Sequence, residues 1–344
     1  MSSAPESRAA RLGNVVAPAR NRWPHRLVAV LLIVSGALTL GYASVSIYMA
    51  TQLVYTPPIP IATTPANLGL EYRDVSFPAH DDHVLLRGWF IPGVLHDGRL
   101  TSQRTIIVVH GTRQNRTDPA AGLLDLSGAL ARNGFAVLAF DMRGMGESAP
   151  APISFGYFEQ RDVLGAVDFL RTGSLPYPEL GRPRAIAAYG VSMGGATVIL
   201  AAARESAIQA VVADSTYTDF APILEREVPK LSGLPRFFTP GALIAGRIHY
   251  GIDFYAARPI DVVARLAPRP VLLIHGSSDD IIPPVNLQVL VDAASAPADA
   301  NVTSWLVPGA RHAQAFHTAG AAYVTRLVTF YTDALGPDTS VPAA

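Results

Sequence analysis

The sequence predicts an α/β fold, a mostly parallel sheet with helices on both faces. Three observations predict it. Short apolar runs of strand length alternate with amphipathic segments of helical period along most of the chain. Some of the apolar runs, such as Thr105-Ile106-Ile107-Val108-Val109, are continuous rather than alternating, as in strands covered on both sides. Polar clusters fall directly after these runs, at the strand ends where open α/β sheets bind ligands. With 344 residues, 49% of them hydrophobic, the chain is long enough to bury one large core.

The N-terminus is a separate matter. Residues 1–26 are basic, with Arg8, Arg11, Arg20, Arg22 and Arg26 against Glu6 alone, and no charged residue occurs from Leu27 to Leu70. The apolar stretch 27–49 exceeds the ~20 residues that cross a bilayer. It predicts a single-pass transmembrane anchor, and the preceding arginines predict a cytoplasmic N-terminus with an extracytoplasmic catalytic domain. The alternative is a signal peptide cleaved at Gly41-Tyr42-Ala43, which would release a secreted protein. Residues 50–69 read as a Pro-rich extended linker.

From residue 70 to 335 the elements follow in order. Segments 72–77 and 84–91 suit an antiparallel strand pair, and 105–109 a buried parallel strand. Asp118-Pro119 has the form of an N-cap with proline at the first helical position, so a helix is expected from there to Arg132, ending at Asn133-Gly134. A strand over 135–140, a helix over 159–171, a strand over 185–189 and an Ala-rich helix over 196–204 come next. After a strand at 210–213, residues 216–260 are Pro-rich and aromatic and read as a small helical, cap-like insertion. Alternation resumes with strand 270–275, helix 285–294, strand 302–306 and a last helix over 318–335. The tail 336–344 reads as disordered.

Composition narrows the function. The absence of cysteine excludes disulfides and thiolate metal sites, and no cofactor or metal ion is expected. Beyond residue 26 the chain is mildly acidic, with 22 basic and 26 acidic residues, a balance that offers no basic stripe for nucleic acid. His80 and His83 lack carboxylates at a metal-binding spacing and read as a solvated turn. Asn115-Arg116-Thr117 and Asn301-Val302-Thr303 match glycosylation sequons, a pattern that also arises by chance.

The chemistry centres on Gly190-Val191-Ser192-Met193-Gly194-Gly195, between an apolar strand and a helix. A Gly-x-Ser-x-Gly there forms a sharp turn that holds the serine oxygen out at the end of the sheet, beside a helix N-terminus that favours developing negative charge. A serine hydroxyl needs a base, itself oriented by an acid. His312 follows the last predicted strand, and Asp279 stands four residues after His275 with Pro283 four further on. Asp280 and Asp214 are rival acids and His317 a rival base. The order Ser192, Asp279, His312 differs from that of the chymotrypsin and subtilisin types.

With the His110-Gly111-Thr112 turn, the Asp141-Met142-Arg143-Gly144-Met145-Gly146-Glu147-Ser148 segment, the elbow, His275-Gly276-x-x-Asp279 and Gly309-x-x-His312, residues 70–335 resemble the α/β-hydrolase superfamily. Within it they resemble the Bem46-like and serine aminopeptidase S33-like hydrolases. The resemblance implies the α/β-hydrolase fold with an eight-stranded sheet, Ser192 as nucleophile, His312 as general base and Asp279 as its orienting acid. It also implies an oxyanion hole from the backbone N–H of Met193 and one from the His110-Gly111 turn, assigned to Thr112. The expected partner is a small-molecule or lipid-like acyl substrate, with the membrane engaged through the N-terminal helix. His110, His275, Asp141 and Arg143 are expected to brace loops.

Overall fold

The computed structural model describes residues 22–338 and divides into two units, Met1–Ser44 and Val45–Ala344. The boundary falls inside helix α1 (Trp23–Val54). In the first unit, Leu27, Leu31, Leu32, Ile33, Leu38 and Leu40 are exposed, and α1 is long and apolar enough to cross a membrane, with a mean hydropathy of 2.1 over its most apolar window.

The second unit is built on an eight-stranded sheet. Strands β1 (Arg73–Pro78) and β2 (Leu85–Ile91) pair antiparallel, and a two-stranded hairpin, β3 (Gly93–Val94) and β4 (Leu100–Thr101), follows. Strands β5 (Arg104–Val109), β6 (Ala136–Asp141), β7 (Ala185–Val191), β8 (Ile208–Asp214), β9 (Val271–Gly276) and β10 (Val302–Val307) run parallel to one another. The spatial order is β1-β2-β6-β5-β7-β8-β9-β10. The strand order reverses between β5 and β7, and that crevice is where such sheets place ligands.

Side chains of each central strand alternate between two cores. Ile107 and Val109 of β5 join Ile186 and Ala188 of β7 in one, while Ile106, Val108, Ala187 and Tyr189 enter the other. The first core is covered by α3 (Gln160–Thr172), α4 (Met193–Ala202) and α7 (Val285–Ala294). The second lies under α2 (Leu123–Arg132) and α9 (Ala321–Leu335), whose Tyr323, Leu327 and Tyr331 are buried at the i, i+4, i+8 spacing of one helix face. The insertion after β8 contains α5 (Ala221–Ser232) and α6 (Thr239–Tyr250). Its Tyr217, Phe220 and Phe254 are buried and pack around Phe155, with Phe155 and Phe220 stacked 4.2 Å apart.

Several boundaries differ from those the sequence suggests. Helix α1 does not stop at residue 49. It runs on to Val54; Met49, Leu53 and Val54 belong to the core of the second unit, and Ala50 is buried beside them in sequence. The segment read as a linker is tied down too. Ile153 N–H donates to Val54 O (2.8 Å), Asn115 Nδ2 to Ile59 O (3.1 Å), and residues 65–68 form a 3₁₀ turn whose Leu68 carbonyl accepts from Arg132. Asn115 is therefore a buried donor rather than an accessible glycosylation site.

Helix α2 begins at Leu123, not at Pro119. Asp118 adopts φ +20°, its carboxylate accepts the Ala121 N–H (3.2 Å), and Gly122 in a left-handed conformation starts the helix instead. The last helix is two, α8 (Ala315–Ala319) and α9, separated at Gly320 with φ +54°. Residues 336–338, read as the start of a tail, are docked: Thr101 Oγ1 donates to the buried Asp338 (2.6 Å) and Arg104 to Gly336 O (3.2 Å). The rest of that tail and most of the basic stretch 1–26 lie outside the described residues.

Candidate active site

Strand β7 ends at Val191 and α4 starts at Met193, so Ser192 is the single residue of the turn. Its backbone is at φ +55°, ψ −121°, where an L-residue carries ~1–3 kcal/mol of strain. The glycines make the turn possible. A Cβ at Gly190 would lie 2.2 Å from the Gly194 carbonyl oxygen, and one at Gly194 2.4 Å from that of Val109. The elbow is thus pressed between its own helix and β5.

The structure brings Ser192, Asp279 and His312 together from the ends of β7, β9 and β10. The Ser192 hydroxyl lies 2.9 Å from His312 Nε2, and His312 Nδ1 lies 2.8 Å from Asp279 Oδ2. With Nδ1–H donating to the carboxylate, Nε2 is free to accept the serine proton. Asp279 is buried, and its other oxygen accepts the N–H groups of Ile281 (3.0 Å) and Ile282 (2.8 Å). His275 Nε2 donates to Ile282 O (2.9 Å) and also lies 3.2 Å from Asp279 Oδ2. Burial by itself would raise the Asp279 pKa, but hydrogen bonds from His275, His312 and the Ile282 amide outweigh it and hold the carboxyl well below the usual range.

That depression links Asp279 to stability. A carboxyl whose folded pKa lies below its unfolded value stabilises the fold above about pH 4, and the gain is lost as pH falls towards the folded value. Asp279→Asn should therefore melt lower than wild type at neutral pH, and the gap should narrow as pH drops below about 4. Thermal scans of both proteins between pH 7 and 2.5 check this, and a pH-independent gap would contradict it.

The rival residues are engaged elsewhere. Asp280 is exposed and lies 3.6 Å from Arg311. His317 sits in α8 with Nε2 3.1 Å from Pro119 O. Asp214 is buried at the end of β8 and bonded to Tyr323 and Ser215.

Opposite the elbow, Gly111 passes so close to Ser192 that a Cβ on it would be 3.5 Å from the serine Cβ. Next in the chain is Thr112, whose Oγ1 is buried without a hydrogen-bond partner among the described residues. Met193, the first residue of α4, has an N–H with no intrahelical acceptor, and it points with the positive end of the helix dipole. The loop is fixed from behind. His110 Nδ1 donates to Gly111 O (2.7 Å) while Nε2 accepts from Met142 N–H (3.0 Å). Asp141 accepts the N–H groups of Arg116 (2.6 Å) and Glu147 (2.8 Å) and pairs with the Arg116 guanidinium, and Arg143 pairs with Asp162 and Asp82. Arg113, at φ +57°, reaches from this loop to the Gln52 carbonyl of α1 (3.3 Å).

This architecture has close counterparts. A protein of Mycobacterium tuberculosis named MT2364 is 30% identical over 287 residues, covering 82% of this chain and 85% of that protein. The chain belongs to the α/β-hydrolase superfamily. The model of the serine aminopeptidase S33 family of hydrolases matches residues 101–251, from β4 to the end of α6. Protein bem46 of Schizosaccharomyces pombe is 24% identical over 228 residues, 66% of this chain and 67% of its own length. Among solved structures, the Pyrococcus furiosus esterase Pf2001 superposes with a TM-score of 0.66 at 24% identity, over 82% of this chain and all of that one, a likeness of fold.

Proposed function

We propose that the protein is a membrane-anchored serine hydrolase that cleaves acyl esters or thioesters through an acyl-enzyme. The observation that carries this reading is the hydrogen-bonded series from Ser192 Oγ through His312 to the buried Asp279 carboxylate. In the first step, Ser192 Oγ attacks the substrate carbonyl carbon and its proton passes to His312 Nε2. The carbonyl oxygen becomes an oxyanion beside the N–H groups of Met193 and Thr112. Preorganised donors of this kind are each worth ~10²–10³ in rate. Collapse of the intermediate expels the leaving group, which takes the proton from His312 and leaves an ester on Ser192. Water, deprotonated by His312, then repeats the sequence and releases the acid. Asp279 holds the imidazole in the required tautomer and orientation.

An amphipathic acyl substrate is supported by what the insertion exposes, Phe237, Ile244 and Ile248, together with a helix able to span a bilayer. The anchor would have a cytoplasmic N-terminus and an extracytoplasmic catalytic domain. Cleavage after Ala43 would instead release the whole second unit, which begins at Val45. The match to the serine aminopeptidase S33 family favours, as a second reading, a peptidase or amidase using the same three side chains.

The experiment is fluorophosphonate labelling of the full-length protein, mapped to the modified residue. Kinetics follow on matched esters, thioesters and amides of increasing acyl length. Labelling at Ser192 with kcat/KM rising with chain length on esters is the expected result. Preferred turnover of aminoacyl amides selects the second reading. No labelling of folded protein would mark a hydrolase-fold binding protein without chemistry.

A further inference from the structure

We propose that the dipeptide Asp214–Ser215 is a positioning element that fixes the elbow carrying Ser192 relative to the loop carrying His312. This inference rests on the roles proposed above for those two side chains. The Asp214 carbonyl accepts the Ser192 N–H (2.8 Å), and the Ser215 hydroxyl accepts the N–H of Ala313, the residue after His312 (3.2 Å). Two adjacent residues therefore hold the reacting serine and histidine through the backbone groups nearest to each.

The geometry is demanding at all three contact points. Ser192, Ser215 and Ala313 have φ of +55°, +51° and +58°, a region that residues other than glycine seldom occupy. Such conformations persist only where the surroundings over-determine them; one hydrogen bond joins Ala313 to Ser215, and the other ties Ser192 to Asp214, the residue before Ser215.

The direction of these bonds is set from behind. The Ser215 hydroxyl donates its own proton to Asp214 Oδ1 (2.8 Å), so towards Ala313 it can only accept. The other Asp214 oxygen accepts the Tyr323 hydroxyl (2.6 Å) of α9, and Tyr323 in turn accepts from Tyr189 of β7 (3.0 Å). Ser215 N–H donates to Ile274 O of β9 (2.9 Å). Asp214, Ser215, Tyr189 and Tyr323 are all buried, so the chain from α9 to the histidine loop is closed to water and each donor has one acceptor.

Ser215→Gly tests the proposal, because glycine accepts φ +51° without strain and lacks the hydroxymethyl group that receives the Ala313 N–H. Tyr323→Phe is the second variant, acting from the remote end of the same chain. Both are compared with wild type, as full-length protein in detergent, for melting temperature, fluorophosphonate labelling rate, and kcat and KM on a soluble ester. Rates are expressed per labelled site. The expected result for Ser215→Gly is a kcat lowered roughly ten- to hundredfold, with KM within about twofold and labelling slowed in parallel. Tyr323→Phe should show a smaller loss of the same kind. A Ser215→Gly protein that is folded and retains wild-type kcat overturns the proposal. So does a loss confined to melting temperature, which would make the dipeptide merely structural. If the folded wild-type protein itself is not labelled at Ser192, the functional reading falls and takes this inference with it.

Discussion

Ser192→Ala should abolish fluorophosphonate labelling and lower kcat/KM on esters by about a millionfold, while leaving the fold as stable as wild type. The loss is large because, in the proposed mechanism, the three side chains act as a unit. Once the nucleophile is gone, His312 and Asp279 have nothing to activate, and only binding and oxyanion stabilisation remain. The stability side of the expectation follows from the elbow. The strained conformation of residue 192 is imposed by the approach of Gly190 and Gly194 to neighbouring backbone, which alanine does not alter. The deletion removes one hydroxyl and its bond to His312 from a position 8% exposed. A melting temperature within a few degrees of wild type, with no labelled band, is the joint outcome. Persistent labelling in the variant would move the nucleophile elsewhere and sink the reading of this site.

What the sequence made legible was local. The elbow, the His110-Gly111 turn and the two loops after β9 and β10 could be found because each polar residue directly follows an apolar strand, and the sheet needs no further information to bring strand ends together. What stayed hidden depends on distant partners. Asp118-Pro119 carries a helix-start pattern, yet the Asp118 carboxylate is used within the turn and Gly122 supplies the entry. An apolar run in α1 reads the same whether it faces lipid or protein, so its last turns passed for membrane and linker although Met49 and Leu53 are core. Ser215 follows an apolar strand like the others, but its bond could not be read from that position, because Ala313 arrives from nearly a hundred residues away. The break at Gly320 was likewise masked by helical periodicity on both sides.

The end of α1 supplies the other large expected effect. A protein beginning at residue 45 should be soluble, folded and active on short esters within about twofold of full length. A protein beginning at residue 56 should melt far lower or fail to fold. The difference is the segment 45–55, of which Met49, Ala50, Leu53 and Val54 are buried to within a few per cent. Burying a Met, Leu or Val side chain is worth ~1.5–3 kcal/mol each, so the segment contributes roughly 5–8 kcal/mol out of a typical 5–15. It also takes with it the Thr51–Tyr250 hydrogen bond (2.7 Å) to the insertion and the Gln52 carbonyl that receives Arg113 from the loop opposite Ser192. Any of the longer truncation that survives should therefore lose kcat as well as stability, because the loop opposite Ser192 is released at Arg113. Thermal scans and ester turnover on the two truncations decide it. Equal melting temperatures would mean that residues 45–55 are a tether, whereas the expected gap makes the last turns of a membrane-competent helix part of the catalytic unit.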